Sequence, residues 1–211
     1  MSNNVVFYHM YCVNDCYERF VNTYNKIVSS GLIDKIQIIK VVLVGPLKTE
    51  VYNKLNQLFK TELHIRETTK SEAETLRLIW DYCQSNTCNV LYLHSKGVTK
   101  PNHKNIQDWK NLMEYFLIEN FQPCLDSLQT HDVCGVNYLP GRPHYSGNYW
   151  WATSKHIKKL KQLKPEVVDR LYCEYWLFDI NDKIERKEIY NSGIDHYKNA
   201  YPLEKYALKK S

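Results

Sequence analysis

His94, Ser95 and Lys96 follow directly on the apolar run Val90-Leu91-Tyr92-Leu93, and Gly97 closes the segment. β-Branched and aromatic residues suit a covered pleated surface, so the run predicts a buried strand. An imidazole, a hydroxyl and an ammonium group then stand where that strand leaves the sheet, and Gly97 permits a sharp turn. In an open α/β sheet this carboxyl edge is where ligands bind. The three side chains offer proton transfer, hydrogen bonding and a positive charge for an anion.

Other groups with chemical capacity are spread along the chain. Tyr8, His9 and Tyr11 end an earlier apolar run, Val5 to Tyr8. In Gly147-Asn148-Tyr149-Trp150-Trp151-Ala152 the adjacent tryptophans point to opposite faces if the segment is extended, so one can join the core while the other meets ligand. Asn148 supplies both donor and acceptor, and Gly147 permits close backbone approach. His144 and Tyr145 lie in the loop just before. Glu174 lies four residues after Arg170, a spacing that fits either a helix ion pair or a carboxylate set aside for catalysis, with Asp179 as the alternative acid. His196 sits in a polar, tyrosine-rich tail, where it is either exposed or a neutral-imidazole ligand.

The elements that must position these groups follow from periodicity and punctuation. Asn14 or Asp15 caps a helix to about Ser29, with Phe20, Tyr24 and Ile27 on one face and Gly31 at its end. Ile36 to Val44 reads as a central strand, broken by Gly45-Pro46. A helix from Glu50 to Phe59 and a short strand from Glu62 to Ile65 follow. Ser71 and Glu74 form a capping box that opens a helix to about Cys83, with Ala73, Leu76, Ile79 or Trp80, and Cys83 buried and Arg77 at the border of that stripe. Beyond the His-Ser-Lys strand come a helix from Asn105 to Asn120, a strand from Asp132 to Val136 and a Pro/Gly-containing loop from Gly141 to Gly147. A Lys-rich helix from Ser154 to Leu163, a helical segment near Val167 to Phe178 and a short strand near Glu185 to Tyr190 complete the chain. Strands alternating with helices predict an α/β fold with a mixed, mostly parallel central sheet in one domain.

Bulk properties bound the function. The 211 residues suffice for one full core, and a net charge of +5 favours anionic ligands without being a nucleic-acid signature. Seven cysteines lack zinc-ribbon spacing and fit reduced thiols in a cytoplasmic setting. The amino terminus lacks a basic region followed by a long apolar stretch, so neither signal peptide nor membrane span is expected. No P-loop, G-x-G-x-x-G or G-x-S-x-G motif occurs, and with 7 glycines any phosphate must be held by side chains, a metal or isolated amides.

The order of elements, with Val-Leu-Tyr-Leu-His-Ser-Lys-Gly near residue 90, resembles nucleotide-sugar glycosyltransferases of the glycosyltransferase-A fold. Asp108-Trp109, the Ser146–Ala152 block and Glu174-x-Trp176 make the chain similar to rhamnan-synthesis protein F-like domains and to the amino-terminal glycosyltransferase domain of a large chlorella-virus protein. The resemblance spans nearly the whole chain. It implies a nucleotide-binding half over 1–100 and an acceptor or sugar-binding half over 101–211, in a protein that is complete or one module of a longer one. It implies a UDP-sugar donor, with glucose or rhamnose as the sugar, and a glycan acceptor. Tyr8, His9, Tyr11 and Arg77 would hold the nucleotide. His94, Ser95 and Lys96 stand where the family has Asp-x-Asp, whose carboxylates hold Mn²⁺ or Mg²⁺. Either His94 and His196 keep a divalent cation, or Lys96 pairs with the diphosphate and partly replaces it. His144, Tyr145, Gly147, Asn148, Trp150 and Trp151 would contact sugar, and Glu174 would act at the anomeric centre.

Overall fold

Continuous apolar runs place apolar side chains on both faces of a strand, and the chain buries them in a sheet covered on both sides. The computed structural model describes residues 3–67, 71–164 and 169–207. Its elements run β1 (Asn4–Tyr11), α1 (Cys16–Ser29), α2 (Leu32–Lys35), β2 (Ile36–Val44), α3 (Lys48–Leu55), β3 (Thr61–Ile65), α4 (Ala73–Ser85), β4 (Asn89–His94) and α5 (Lys104–Glu114), which continues as a π-helical turn, Tyr115–Glu119. Then come α6 (Gln122–Ser127), β5 (Val133–Val136), β6 (Tyr138–Leu139), β7 (His144–Tyr145), β8 (Trp150–Thr153), α7 (Ser154–Ile157), α8 (Arg170–Tyr175) with a 3₁₀ turn Trp176–Phe178, and β9 (Arg186–Tyr190).

Seven strands form one sheet in the order β3-β2-β1-β4-β8-β5-β9, and β6 and β7 make a separate hairpin. All pairings in the large sheet are parallel except those of β8 with β4 and β5. Val6, Tyr8, Met10, Leu91, Leu93 and Trp151 pack one face against α1, α3, α5 and α6. Val5, Phe7, Val90, Tyr92, Trp150 and Ala152 pack the other against α4, α7 and α8. This is the mixed, mostly parallel α/β arrangement that the sequence predicts. All seven cysteines are buried free thiols. Among the described residues no helix is long and apolar enough to cross a membrane.

Three local expectations are corrected. The Ser71/Glu74 capping box does not form: Glu74 pairs with Arg77 instead, and Ser71 Oγ accepts from the Ala73 amide at 3.3 Å. The Lys-rich helix stops at Ile157, because the indoles of Trp80 and Trp176 donate to the carbonyls of Leu160 and Lys161, each at 2.8 Å, and hold that segment outside a helix. The loop after Val136 contains the β6–β7 hairpin, in which Tyr138 pairs with Tyr145.

Candidate functional site

Parallel pairing of β1 with β4 sets His9 beside His94, so both strands end at the same edge. The Ser95 amide donates to the His9 carbonyl at 2.9 Å, and Ser95 Oγ accepts from the Tyr11 amide at 3.0 Å. Gly97 turns the chain at φ +76°, where a Cβ would meet Ile106 Cγ2 at 2.7 Å. The turn leaves Lys96 buried, with its Nζ 3.7 Å from the centroid of the Trp109 ring and 5.9 Å from that of Tyr197.

A second turn, Gly147-Asn148, anchors this edge from behind. Gly147 has φ +91°, and a Cβ there would meet Met113 Sδ at 2.5 Å, so only glycine fits. Asn148 adopts φ +58°, a region asparagine tolerates better than most residues. The Gly147 carbonyl lies 2.9 Å from His94 Nε2, which therefore carries the proton and donates. Asn148 Nδ2 and the Tyr92 hydroxyl both donate to Glu72 Oε2 at 2.8 Å, and Trp150 Nε1 donates to Asn148 Oδ1 at 3.2 Å. The Tyr149 hydroxyl donates to the His94 carbonyl.

Burial works to raise the Glu72 carboxyl, but the imidazoles of His94 and His9 and the hydrogen bonds from Tyr92 and Asn148 outweigh it and hold the group at about 2. Burial, reinforced by the charge of Lys96 and opposed by Glu72, pushes His94 down to about 4. Near neutral pH the edge therefore holds a carboxylate beside a neutral imidazole. The hydrogen bonds from Tyr92 and Asn148 favour the ionised form of Glu72 there.

Two cavities meet at Lys96. One, of about 230 Å³, is lined by His9, Tyr11, Glu72, His94, Ser95 and Lys96, with Lys100 and Tyr197 at its side. The other, of about 580 Å³, is lined by Lys96, Trp109, Asn137, His144, Gly147, Glu174 and His196, among others. His196 Nε2 lies 2.8 Å from Ser192 Oγ and 3.1 Å from Asn137 Nδ2, and its ring stacks on Trp109 with centroids 5.5 Å apart. Burial lowers its pKa, which favours the neutral ring.

The structure thus collects His9, Tyr11, His94, Ser95 and Lys96 around one space and His144, Gly147, Glu174 and His196 around the next. Other candidates fall elsewhere. Tyr8 has the opposite strand parity to His9 and packs edge-on against Phe20 at 4.9 Å, inside the core. Arg77 pairs with Glu74 and donates to the Lys164 carbonyl at 3.0 Å, so its charge is held on the flank of α4 and lines neither cavity. Trp150 and Trp151 are both buried, one in each face of the sheet, because β8 is covered on both sides; neither is left for ligand. Tyr145 is buried too, its hydroxyl donating to the Lys187 carbonyl at 2.9 Å. Asn148 braces Glu72 and Trp150 and lines neither cavity. Asp179 accepts from the Tyr172 hydroxyl at 2.7 Å, away from both. The side chain of Arg170, the alternative partner of Glu174, lies outside the described residues.

Sequence reasoning misses Glu72. An acid in the opening turn of a helix reads as a complement to the helix dipole, and only the fold brings it to the strand edge, where Tyr92 and Asn148 donate to it. His94 and His196, expected to share a divalent cation, line different cavities. Among the described residues no group of three or more His, Cys, Asp or Glu side chains could hold a metal ion. His94 has Nε2 committed to the Gly147 carbonyl, and the ammonium of Lys96 stands between the cavity that His94 lines and the one that His196 lines.

The fold is similar to that of Rv0371c from Mycobacterium tuberculosis H37Rv. Its manganese complex superposes with a TM-score of 0.52 at 7% identity, over 90% of this chain and 89% of that one. A second structure of Rv0371c gives 0.51 at 9% identity, over 90% of each chain. A candidate nucleotide-diphospho-sugar transferase from Desulfovibrio desulfuricans G20 gives 0.48 at 11% identity, over 90% of this chain and 81% of that one. At such identities the likeness is one of fold. No curated protein matches in sequence. Residues 7–207 match the family described as "Domain of unknown function (DUF8361)", and the chain belongs to that family.

Proposed function

We propose that the chain is a glycosyltransferase that moves a hexose or deoxyhexose from a UDP-sugar to a glycan hydroxyl. The observation that carries this reading is the junction at Lys96. One buried cation borders two cavities at the carboxyl edge of a parallel sheet, with Glu72 at one side and Glu174 at the other. A sugar nucleotide has that same order of parts: a nucleoside, an anionic diphosphate and a sugar. The nucleoside would occupy the space beside His9 and Tyr11, the diphosphate would meet Lys96, and sugar and acceptor would share the space with His144, Asn137 and Glu174. On this reading most of the nucleotide site would come from residues 1–100, with Ile106 and Tyr197 also lining that space. The resemblance to rhamnan-synthesis protein F-like domains makes glucose and rhamnose the donor sugars to try first.

In an inverting reaction Glu174 would take the proton of the acceptor hydroxyl as its oxygen attacks the anomeric carbon. The bond from that carbon to the diphosphate oxygen breaks, and UDP leaves with its new negative charge against Lys96. In a retaining reaction Glu174 would stabilise the oxocarbenium-like state instead. Positioning by the two cavities supplies the rest of the rate.

A thermal-shift panel of UDP-, GDP- and dTDP-sugars, each with Mn²⁺ and with EDTA, tests the reading. A ligand of the folded state raises the melting temperature, and a UDP-sugar should do so in EDTA as well as in Mn²⁺. No shift with any uridine nucleotide would sink the proposal. His94-Ser95-Lys96 at the Asp-x-Asp positions favours a second reading, a sugar-nucleotide-binding domain without transfer. Slow UDP release from the bound donor separates the two, since only the transferase hydrolyses it.

A further inference from the structure

We infer that Glu72 selects the nucleoside, its Oε1 accepting a hydrogen bond from an N–H or O–H group of the ligand in the smaller cavity. The inference rests on the sugar-nucleotide reading and deepens it. Glu72 lines that cavity while only 8% exposed. Tyr92 and Asn148 both donate to Oε2, which fixes the carboxylate plane. Oε1 accepts no hydrogen bond among the described residues, and it is not among the buried polar atoms sealed from solvent. One oxygen is therefore held by the fold and the other is presented to the cavity. A carboxylate held ionised in a buried site accepts only, so it favours a partner that brings a proton and penalises one that brings a lone pair. Uracil offers N3–H at the position where cytosine has a bare nitrogen, and the ribose offers hydroxyls.

The site also dictates what an amide would do there. In Glu72→Gln the carbonyl oxygen must stay on Tyr92 and Asn148, because both are donors. The amide nitrogen must then face the cavity. The substitution converts a presented acceptor into a presented donor while keeping the inner hydrogen bonds.

Calorimetric titration of the wild-type chain with UDP, CDP, N3-methyl-UDP, 2′-deoxy-UDP and 3′-deoxy-UDP decides the matter. If Glu72 reads the base, CDP and N3-methyl-UDP bind roughly 10-fold or more weaker than UDP, the scale of one hydrogen bond to a charged group, and Glu72→Gln moves the preference toward CDP by a similar factor. If it reads the ribose, a deoxy analogue shows that loss in the wild type, and the loss shrinks in Glu72→Gln while UDP and CDP stay alike. Equal binding of all five ligands to the wild-type chain overturns the inference and leaves the sugar-nucleotide reading standing. No binding of any of them overturns both. The wild-type series is decisive even if the variant fails to fold.

Discussion

The Nζ of Lys96 lies 3.7 Å from the centroid of the Trp109 ring, and the same ring stacks on His196. A cation over an indole face is worth about 2 kcal/mol when desolvated, as Lys96 is. The contact holds the ammonium between the two cavities instead of letting a long, flexible side chain reach solvent. Trp109 is itself fixed, since α5 packs it under the Gly147 turn, where an added Cβ would come within 3.1 Å of its Cε2. The cation's position thus depends on the helix that follows β4 and on a turn remote from β4 in sequence.

Lys96→Ala should lower kcat/KM for the UDP-sugar roughly 10²-fold and weaken UDP binding, the scale of losing one preorganised group that meets developing charge. Trp109→Leu keeps the charge but frees it, and a loss of roughly 10-fold is expected. Steady-state kinetics and UDP titration in EDTA check both. Unchanged UDP affinity in Lys96→Ala would remove Lys96 from the site.

Glu174→Gln should cut kcat by roughly 10² to 10⁴ while leaving UDP affinity within about 2-fold, because Glu174 lines only the larger cavity. The split between rate and affinity distinguishes an acid–base role from a stabilising contact. A parallel fall in UDP binding would place Glu174 in the nucleotide site instead.

Acid should destabilise the fold in two stages. His94 is held at about 4 against an ordinary 6.5, and Glu72 at about 2 against an ordinary 4.5. Both values are depressed by folding, so the unfolded chain takes up protons first as the pH falls, and stability declines. The contribution of His94 is complete above 6.5 and is lost as pH falls through 4; that of Glu72 is complete above 4.5 and is lost as pH falls through 2. Urea unfolding at stepped pH measures the slope. His94→Gln should flatten it between 6.5 and 4, and an unchanged slope there would assign the loss to other groups.

Gly147→Ala should destabilise by about 2–4 kcal/mol, since it combines a left-handed backbone with a methyl pressed on Met113 Sδ. For a chain of this size that corresponds to roughly 5–15 °C in melting temperature. Calorimetry checks it, and a shift under 1–2 °C would mean the turn relaxes at little cost.

Much of the scaffold is legible locally. Ile36 to Val44 matches β2 end to end, and the apolar runs at Val5 and Val90 lie within β1 and β4, because a strand buried on both faces leaves an unbroken apolar signature. The stripe Ala73, Leu76, Ile79, Cys83 is the buried side of α4 for the equivalent reason in a helix. The Asn148–Ala152 segment is less legible. Its composition suits sugar contacts, and the same composition suits a brace: Asn148 on Glu72, Tyr149 on the His94 carbonyl and the two indoles in the two cores.

By itself the sequence determines the parallel core and the edge where His94, Ser95 and Lys96 emerge, since strand burial and the turn at Gly97 are encoded in neighbouring residues. Which groups share a space is decided only by tertiary structure. Glu72 and Asn148 are 76 residues apart, and His94 and Gly147 are 53 apart. They meet because β8 pairs antiparallel with β4 and brings the Gly147 turn over the end of α4. A buried carboxylate and an exposed helix-opening acid are the same letter, and only the partners that fold around it fix its charge, its orientation and the oxygen it presents.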